Sequence, residues 1–238
     1  MKTRPLSDID LARIAPLPRD RQRKQLEQIR DGRPPFSYAP LRSRFHDIFN
    51  IYPEMFGPTK TTNWTKIEKH LIDDCTSDAE RQANIAVALG LYNFAIETRL
   101  FGRKQEFSPL LMGSGRRVAY WIPIILSLDD QPFVPFIDPR RSRGLTQEGR
   151  RFAFSMMHER IRVADPDYAA VRFAIFRFGD KENEQRSPIL YTDEGIELFS
   201  FDQMEDMIRT TYELWHEICT EREEEARRSA SGRRGSLI

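Results

Sequence analysis

The chain has 238 residues, 39% of them hydrophobic and 31% charged, with a formal net charge of +1, a balance that excludes wholesale disorder and predicts a folded soluble protein. No apolar run reaches the roughly 20 residues that span a bilayer, and Met1-Lys2-Thr3-Arg4-Pro5 has no apolar signal core behind it, so a cytoplasmic location and no membrane partner are expected. The two cysteines, Cys75 and Cys219, stand far apart without a histidine cluster, which argues against a disulfide framework or a zinc knuckle.

In chain order, residues 1–45 read as a basic N-terminal extension. A short apolar helix near Ile9–Ile14 is followed by Pro16 and Pro18, then by a charged helix from Arg19 to Arg30 that Gly32 and Pro34-Pro35 end. Phe36, Tyr38, Leu41 and Phe45 are its expected docking points on the body or on a partner. A Pro, Gly and Thr-rich loop from Pro53 to Thr62 leads to a short helix around Trp64–Ile72. Ser77-Asp78-Ala79-Glu80 has the capping-box pattern, and Ile85, Leu89, Tyr92 and Ile96 follow at helical spacing, which predicts a buried helix over about 78–101. After Gly113-Ser114-Gly115 the period changes: Val118–Leu128 and Phe133–Ile137 are rich in β-branched and aromatic residues across an Asp129-Asp130-Gln131-Pro132 turn, the pattern of an antiparallel hairpin.

Thr146 is placed to cap a helix carrying Phe152, Met156 and Ile161, which Asp165-Pro166-Asp167 stops. Val171–Phe178 reads as a strand, and Ile189–Tyr191 as pairing with Ile196–Phe199 across Thr192–Gly195. Met204, Ile208, Thr211, Trp215 and Ile218 give a last helix an apolar stripe. From Glu221 the acidic run and the Ser/Gly/Arg ending predict a fraying or disordered tail. The elements together predict one α/β core domain over 46–220, of α+β or α/β class with a central mixed sheet flanked by helices, and a charged tail over 221–238.

The small net charge hides an asymmetry. Residues 1–46 carry eleven Lys or Arg against five Asp or Glu; residues 140–162 carry seven Arg against two Glu; residues 180–225 carry four basic against fifteen acidic residues. Such a molecule has a positive side suited to phosphates or to an acidic partner protein. The sequence contains no G-x-x-x-x-G-K-[ST], no G-x-G-x-x-G, no H-E-x-x-H and no internal repeat, which removes several enzyme classes.

The order helix, hairpin, helix, strand, with Trp121-Ile122-Pro123-Ile124 on the first hairpin strand and Asp138-Pro139-Arg140 closing the second, resembles the core of the PD-(D/E)xK nuclease superfamily, particularly its transposon end-cleaving endonucleases. The resemblance covers about residues 77–180. It implies a restriction-endonuclease-like core carrying a helical N-terminal extension and a C-terminal helix, with nucleic acid, DNA ahead of RNA, as partner. It also implies a Mg²⁺ site with Asp138 and Glu97 as ligands and Asp138, Arg140 and Glu97 as the catalytic positions. Hydrolysis of a phosphodiester at such a site requires carboxylates converging on one or two divalent cations that activate water. The motifs depart from the pattern: Ile124 stands where Pro-Asp expects a carboxylate, and Arg140, always protonated, stands where a lysine would activate the nucleophile. Asp129 and Asp130 would substitute only if the hairpin bent them back towards Asp138.

Beside this stands the plain reading of Asp138-Pro139 as a strand terminus whose aspartate pairs with a neighbouring arginine. Arg116 and Arg117 before the hairpin, Arg140, Arg141 and Arg143 after it, and Arg150 and Arg151 on the next helix are the candidate nucleic-acid-binding set, arginine being used there almost to the exclusion of lysine. A solvated charged face is the alternative. Ser155 and His158, three apart on a helix, form a weak nucleophile–base pattern with no third group. His46, His70 and His216 are isolated, and Trp121, Phe133, Phe136, Phe152, Tyr212 and Trp215 fit core positions better than base-stacking ones. Two functions follow: a nucleic-acid-binding or -processing protein on a nuclease-like core with a depleted metal site, or a non-catalytic interaction or assembly subunit that joins partners through its N-terminal extension or C-terminal helix.

Overall fold

A computed structural model describes residues 5–29, 37–51, 61–112, 116–118, 120–141 and 144–234. Eight α-helices appear among them: α1 (Asp8–Ile14), α2 (Arg19–Glu27), α3 (Ala39–Ser43), α4 (Phe45–Ile48), α5 (Trp64–Asp74), α6 (Asp78–Glu97), α7 (Gln147–Met157) and α8 (Phe201–Arg234). The strands are β1 (Phe101–Lys104), β2 (Leu110–Met112), β3 (Arg116–Val118), β4 (Ile124–Leu128), β5 (Gln131–Ile137), β6 (Arg172–Glu182) and β7 (Gln185–Thr192). Five of them make one sheet in the order β1-β4-β5-β6-β7, all neighbours antiparallel except the parallel pair β5 and β6; β2 and β3 form a separate two-stranded sheet. The mixed sheet flanked by helices is therefore present, in an α+β arrangement. The α7 crossover is what makes β5 and β6 parallel.

The period-2 alternation of the strands divides the core between two faces. Val134 and Phe136 of β5 and Phe173 and Ile175 of β6 lie on the face covered by α1, α7 and α8, where Ile9, Leu11, Phe152, Met156, Met204 and Ile208 are buried with them. Phe133 and Ile137 alternate to the other face with Ala174, Phe176 and Phe178, under Leu41, Phe49, Leu71, Val87 and Leu91. A smaller cluster of Ile14, Leu26, Leu214, Trp215 and Ile218 closes the contact of the first two helices with α8. Tyr38, Leu41 and Phe45 dock as the sequence predicts; Phe36 lies outside the described residues, as do Gly32, Pro34-Pro35, most of the 53–62 loop and Gly113–Gly115.

The caps follow the sequence closely. Ser77 accepts from the Glu80 N–H at 3.2 Å and Thr146 from the Gly149 N–H at 3.1 Å, each satisfying a donor that the first helical turn leaves unpaired. The capping box is only half formed. The Glu80 carboxylate reaches the Thr76 N–H and hydroxyl and the Ser37 N–H instead, tying the segment before α3 to α6, and these donors hold its carboxyl below the usual range. Three predicted elements differ. α6 stops at Glu97, where Arg99 takes a left-handed conformation with φ 51° and turns the chain into β1. β7 pairs with β6 and not with 196–199, because Asn183 and Glu184, both at positive φ, close a tight β6–β7 turn. α8 continues past Glu221 to Arg234, helped by Arg222, which donates to the Ile29 and Glu27 carbonyls, and by an i,i+4 pair between Arg228 and Glu224.

Candidate functional site

β5 ends at Ile137, and the Asp138 N–H still donates to the Phe176 carbonyl at 2.9 Å, so the parallel pairing carries the aspartate one step beyond the strand. Its side chain is fully buried. One carboxylate oxygen accepts from the Leu145 N–H at 2.7 Å, the other from the Arg140 N–H at 3.3 Å, and the Arg177 guanidinium stands 3.5 Å away. Burial pushes this carboxyl above its usual range, and the two backbone N–H groups with Arg177 and Arg140 pull against it. Asp138 thereby pins the loop that leads into α7: its lone pairs face donors of its own chain.

The other parts of the expected metal site do not assemble. Glu97 is exposed at the end of α6 and is not among the groups that touch Asp138. Asp129 and Asp130, both at positive φ, form the tight β4–β5 turn at the opposite end of β5. Ile124 and Pro139 do come together, around a cavity of about 280 Å³ walled mainly by apolar residues such as Leu41, Phe45, Trp121 and Phe136; Asp8 and His46 also line it, fewer groups than a metal site requires. Among the described residues no group of three or more His, Cys, Asp or Glu is placed to hold a metal.

The arginines divide between several tasks. Arg140 forks onto both oxygens of Asp10, at 2.6 and 3.0 Å, and reaches the Ser7 hydroxyl at 3.1 Å, so it fastens the start of α1 to the end of β5. Burial raises the Asp10 carboxyl, but the hydrogen bond and charge of Arg140, with Ser7 and Arg13, more than offset this and leave it below the usual range. Arg151 donates to the Glu197 carbonyl at 2.5 Å and lies 3.9 Å over the Phe199 ring, holding the irregular 193–200 segment. Arg141 is exposed, with Asp180 at 3.5 Å. Arg143 lies outside the described residues, as do the side chains of Arg116 and Arg117, whose backbone forms β3.

Arg150, from the candidate set, works together with two arginines that the sequence did not single out, Arg177 and Arg186. Arg177 on β6 and Arg150 on α7 both donate to the Leu145 carbonyl, at 2.9 and 3.4 Å, and Arg150 also lies 3.9 Å over the Tyr191 ring. Arg186, 5% exposed, donates to the carbonyls of Gly179, Pro139 and Phe178. Burial lowers the pKa of Arg150 and Arg186, and the like charge of Arg177 acts in the same direction on both. Arg177 and Arg186 belong to no arginine run; for Arg177 the available signal was an arginine interrupting the apolar Phe173–Phe178 strand, which marks a buried or functional cation. Ser155 donates to the Arg151 carbonyl and accepts from the Phe199 N–H, so its hydroxyl is engaged in packing.

The fold and this site define an α+β protein whose buried carboxylate and most conspicuous guanidiniums hold loops and helices together. A family model described as "Sliding clamp-binding bacterial toxin SocB" matches residues 9–225. Over 232 residues, 98% of this chain and 97% of the other, the sequence is 37% identical to the DNA replication inhibitor toxin SocB of Caulobacter vibrioides (strain NA1000 / CB15N). The chain belongs to the SocB family. No solved structure matches it.

The family replaces the nuclease resemblance. A match across nearly the whole chain outweighs two short degenerate motifs, and the restriction-endonuclease-like core, the PD-(D/E)xK assignment and the magnesium-dependent nuclease reading are withdrawn. So is the main functional reading, nucleic-acid binding or processing: the family is described by its binding to a protein, which favours the interaction alternative. No helix among the described residues is long and apolar enough to cross a membrane.

Proposed function

We propose that this chain is a toxin that binds a bacterial sliding clamp and thereby inhibits DNA replication, acting in the cytoplasm where that machinery works. The observation that carries the reading is the 37% identity with the Caulobacter protein over 98% of this chain, a match long enough to take in all three core clusters. The geometry agrees with a binding role: Asp138 is committed to the 138–145 loop, so inhibition by occupying a partner's surface requires no chemistry from this site. The test is direct. Purified chain is passed over an immobilised bacterial sliding clamp, and labelled thymidine incorporation is followed in cells expressing it. Saturable binding with a fall in incorporation is expected; absence of binding to the clamp overturns the proposal.

A further inference from the structure

β7 is a terminal strand of the sheet, and one of its faces carries an unusual combination. Ile189 is directly opposite Arg177 in the β6–β7 register, and Tyr191 is opposite Ile175, so Arg177, Ile189 and Tyr191 share a face. Ile189 is 45% exposed, one of few large apolar side chains left in solvent among the described residues. Arg150 reaches the same place from α7, over the Tyr191 ring, and meets Arg177 at the Leu145 carbonyl. Arg186 is buried on the Gly179, Pro139 and Phe178 carbonyls and takes no direct part in the patch. The carboxylates at hand are Asp138, buried and bonded to backbone, and Asp180, exposed and 3.5 Å from Arg141. Two guanidiniums, those of Arg150 and Arg177, thus meet beside the single buried carboxylate of Asp138. Among the described residues Arg150 has no carboxylate partner. The Asp138 carboxylate, 3.5 Å from Arg177, balances one of the two guanidiniums that share the Leu145 carbonyl and leaves Arg150 as the uncompensated charge.

We propose that the Arg150–Arg177–Ile189 patch receives an acidic segment of a protein partner, its carboxylates taken by the two guanidiniums and a neighbouring apolar side chain seated on Ile189. Protein carboxylates fit better than a nucleic-acid backbone. The charges converge at a point and do not track a groove, an isoleucine occupies the centre of the patch, and the Tyr191 ring already has Arg150 on it and offers that face to no base. Arginine forks pair with carboxylates bidentately and are over-represented where binding energy concentrates. The acidic segment need not belong to a sliding clamp, so peptide binding and clamp binding are separable.

The test uses the full chain and fluorescence anisotropy. The probe is a short fluorescein-labelled Glu-rich peptide with one central leucine, beside the same peptide with Gln for Glu and a short DNA duplex. Salt-sensitive binding of the Glu peptide is expected, with about tenfold weaker binding of the Gln peptide, of Arg150→Gln and of Ile189→Glu, the scale of losing one charge-assisted contact. Ile189 is half in solvent, so Ile189→Glu keeps the test valid should Arg150→Gln disturb the fold. Equal binding of the Gln peptide, unchanged affinity in Ile189→Glu, or tighter binding of the duplex that these substitutions abolish, each overturns the proposal.

Discussion

Gly90 lies in the middle of α6, where replacing glycine by alanine ordinarily favours a helix by about 1 kcal/mol. Here a methyl group would sit 1.9 Å from the Arg186 carbonyl oxygen and 2.7 Å from its carbon, whereas ordinary contact begins at 3.4 Å. Helix and strand would have to separate by about 1.5 Å. The obstacle is backbone, and it is doubly fixed: β7 is paired to β6, and the Arg186 side chain anchors itself on three carbonyls. Separation would also open the layer in which Val87 and Leu91 pack with Phe176. Overpacking of this kind costs about 1–3 kcal/mol and sometimes more, and an unyielding backbone places Gly90→Ala at the upper end. After the helical gain, a net loss of about 2 kcal/mol is expected, or a melting temperature lower by about 4–8 °C for a chain of this size. Thermal denaturation followed by circular dichroism measures it. A melting temperature unchanged or raised in Gly90→Ala would refute the close-approach argument.

Further outcomes follow from the same contacts. Asp10 has a folded pKa below its ordinary 3.8, so its pair with Arg140 contributes stability fully above that value and loses it as pH falls through the lowered one; urea midpoints between pH 6 and pH 2 should fall less steeply in Asp10→Asn than in the wild type. Arg186→Met leaves the Gly179, Pro139 and Phe178 carbonyls without their donor and should cost about 2–4 kcal/mol by denaturant titration, since buried acceptors left unpaired lose their full solvation. Ending the chain at Ser200 removes Met204, Ile208, Leu214, Trp215 and Ile218 from two core clusters; the product should bind hydrophobic dyes and show no cooperative melt, and an unchanged melt would mean that α8 is not part of the body.

The local structure was legible where a single side chain decides it. Ser77 and Thr146 mark the helix starts, Pro166 follows the π-helical stretch His158–Val163 that continues α7 and opens a short 3₁₀ turn, and the apolar stripe of α8 finds its cover. Pairings between distant segments were not. Arg140 and Asp10 are 130 residues apart, Arg23 and Glu221 are 198 apart, and neither partner is written in the local pattern. This is why a run of arginines looked like one nucleic-acid surface although three of its members, Arg140, Arg151 and Arg150, fasten α1, the 193–200 segment and the loop before α7. The opening of the candidate site was misread for a related reason. Asp138-Pro139-Arg140 after a hairpin is compatible with a metal centre and with a loop anchor, and only the direction of the Leu145 and Arg140 N–H groups separates them. The strand expected over 196–199 failed because its alternation of Ile196, Leu198 and exposed Glu197 is also what a half-buried irregular segment needs.

The central claim is that this chain acts by occupying a protein, and the most direct measurement is its binding to a purified bacterial sliding clamp, read by surface plasmon resonance without added nucleotide, metal or DNA. Saturable one-site binding, retained in Asp138→Asn provided that variant folds, is the expected result. No measurable binding by the wild-type chain, together with undiminished DNA synthesis in cells that express it, would contradict the account.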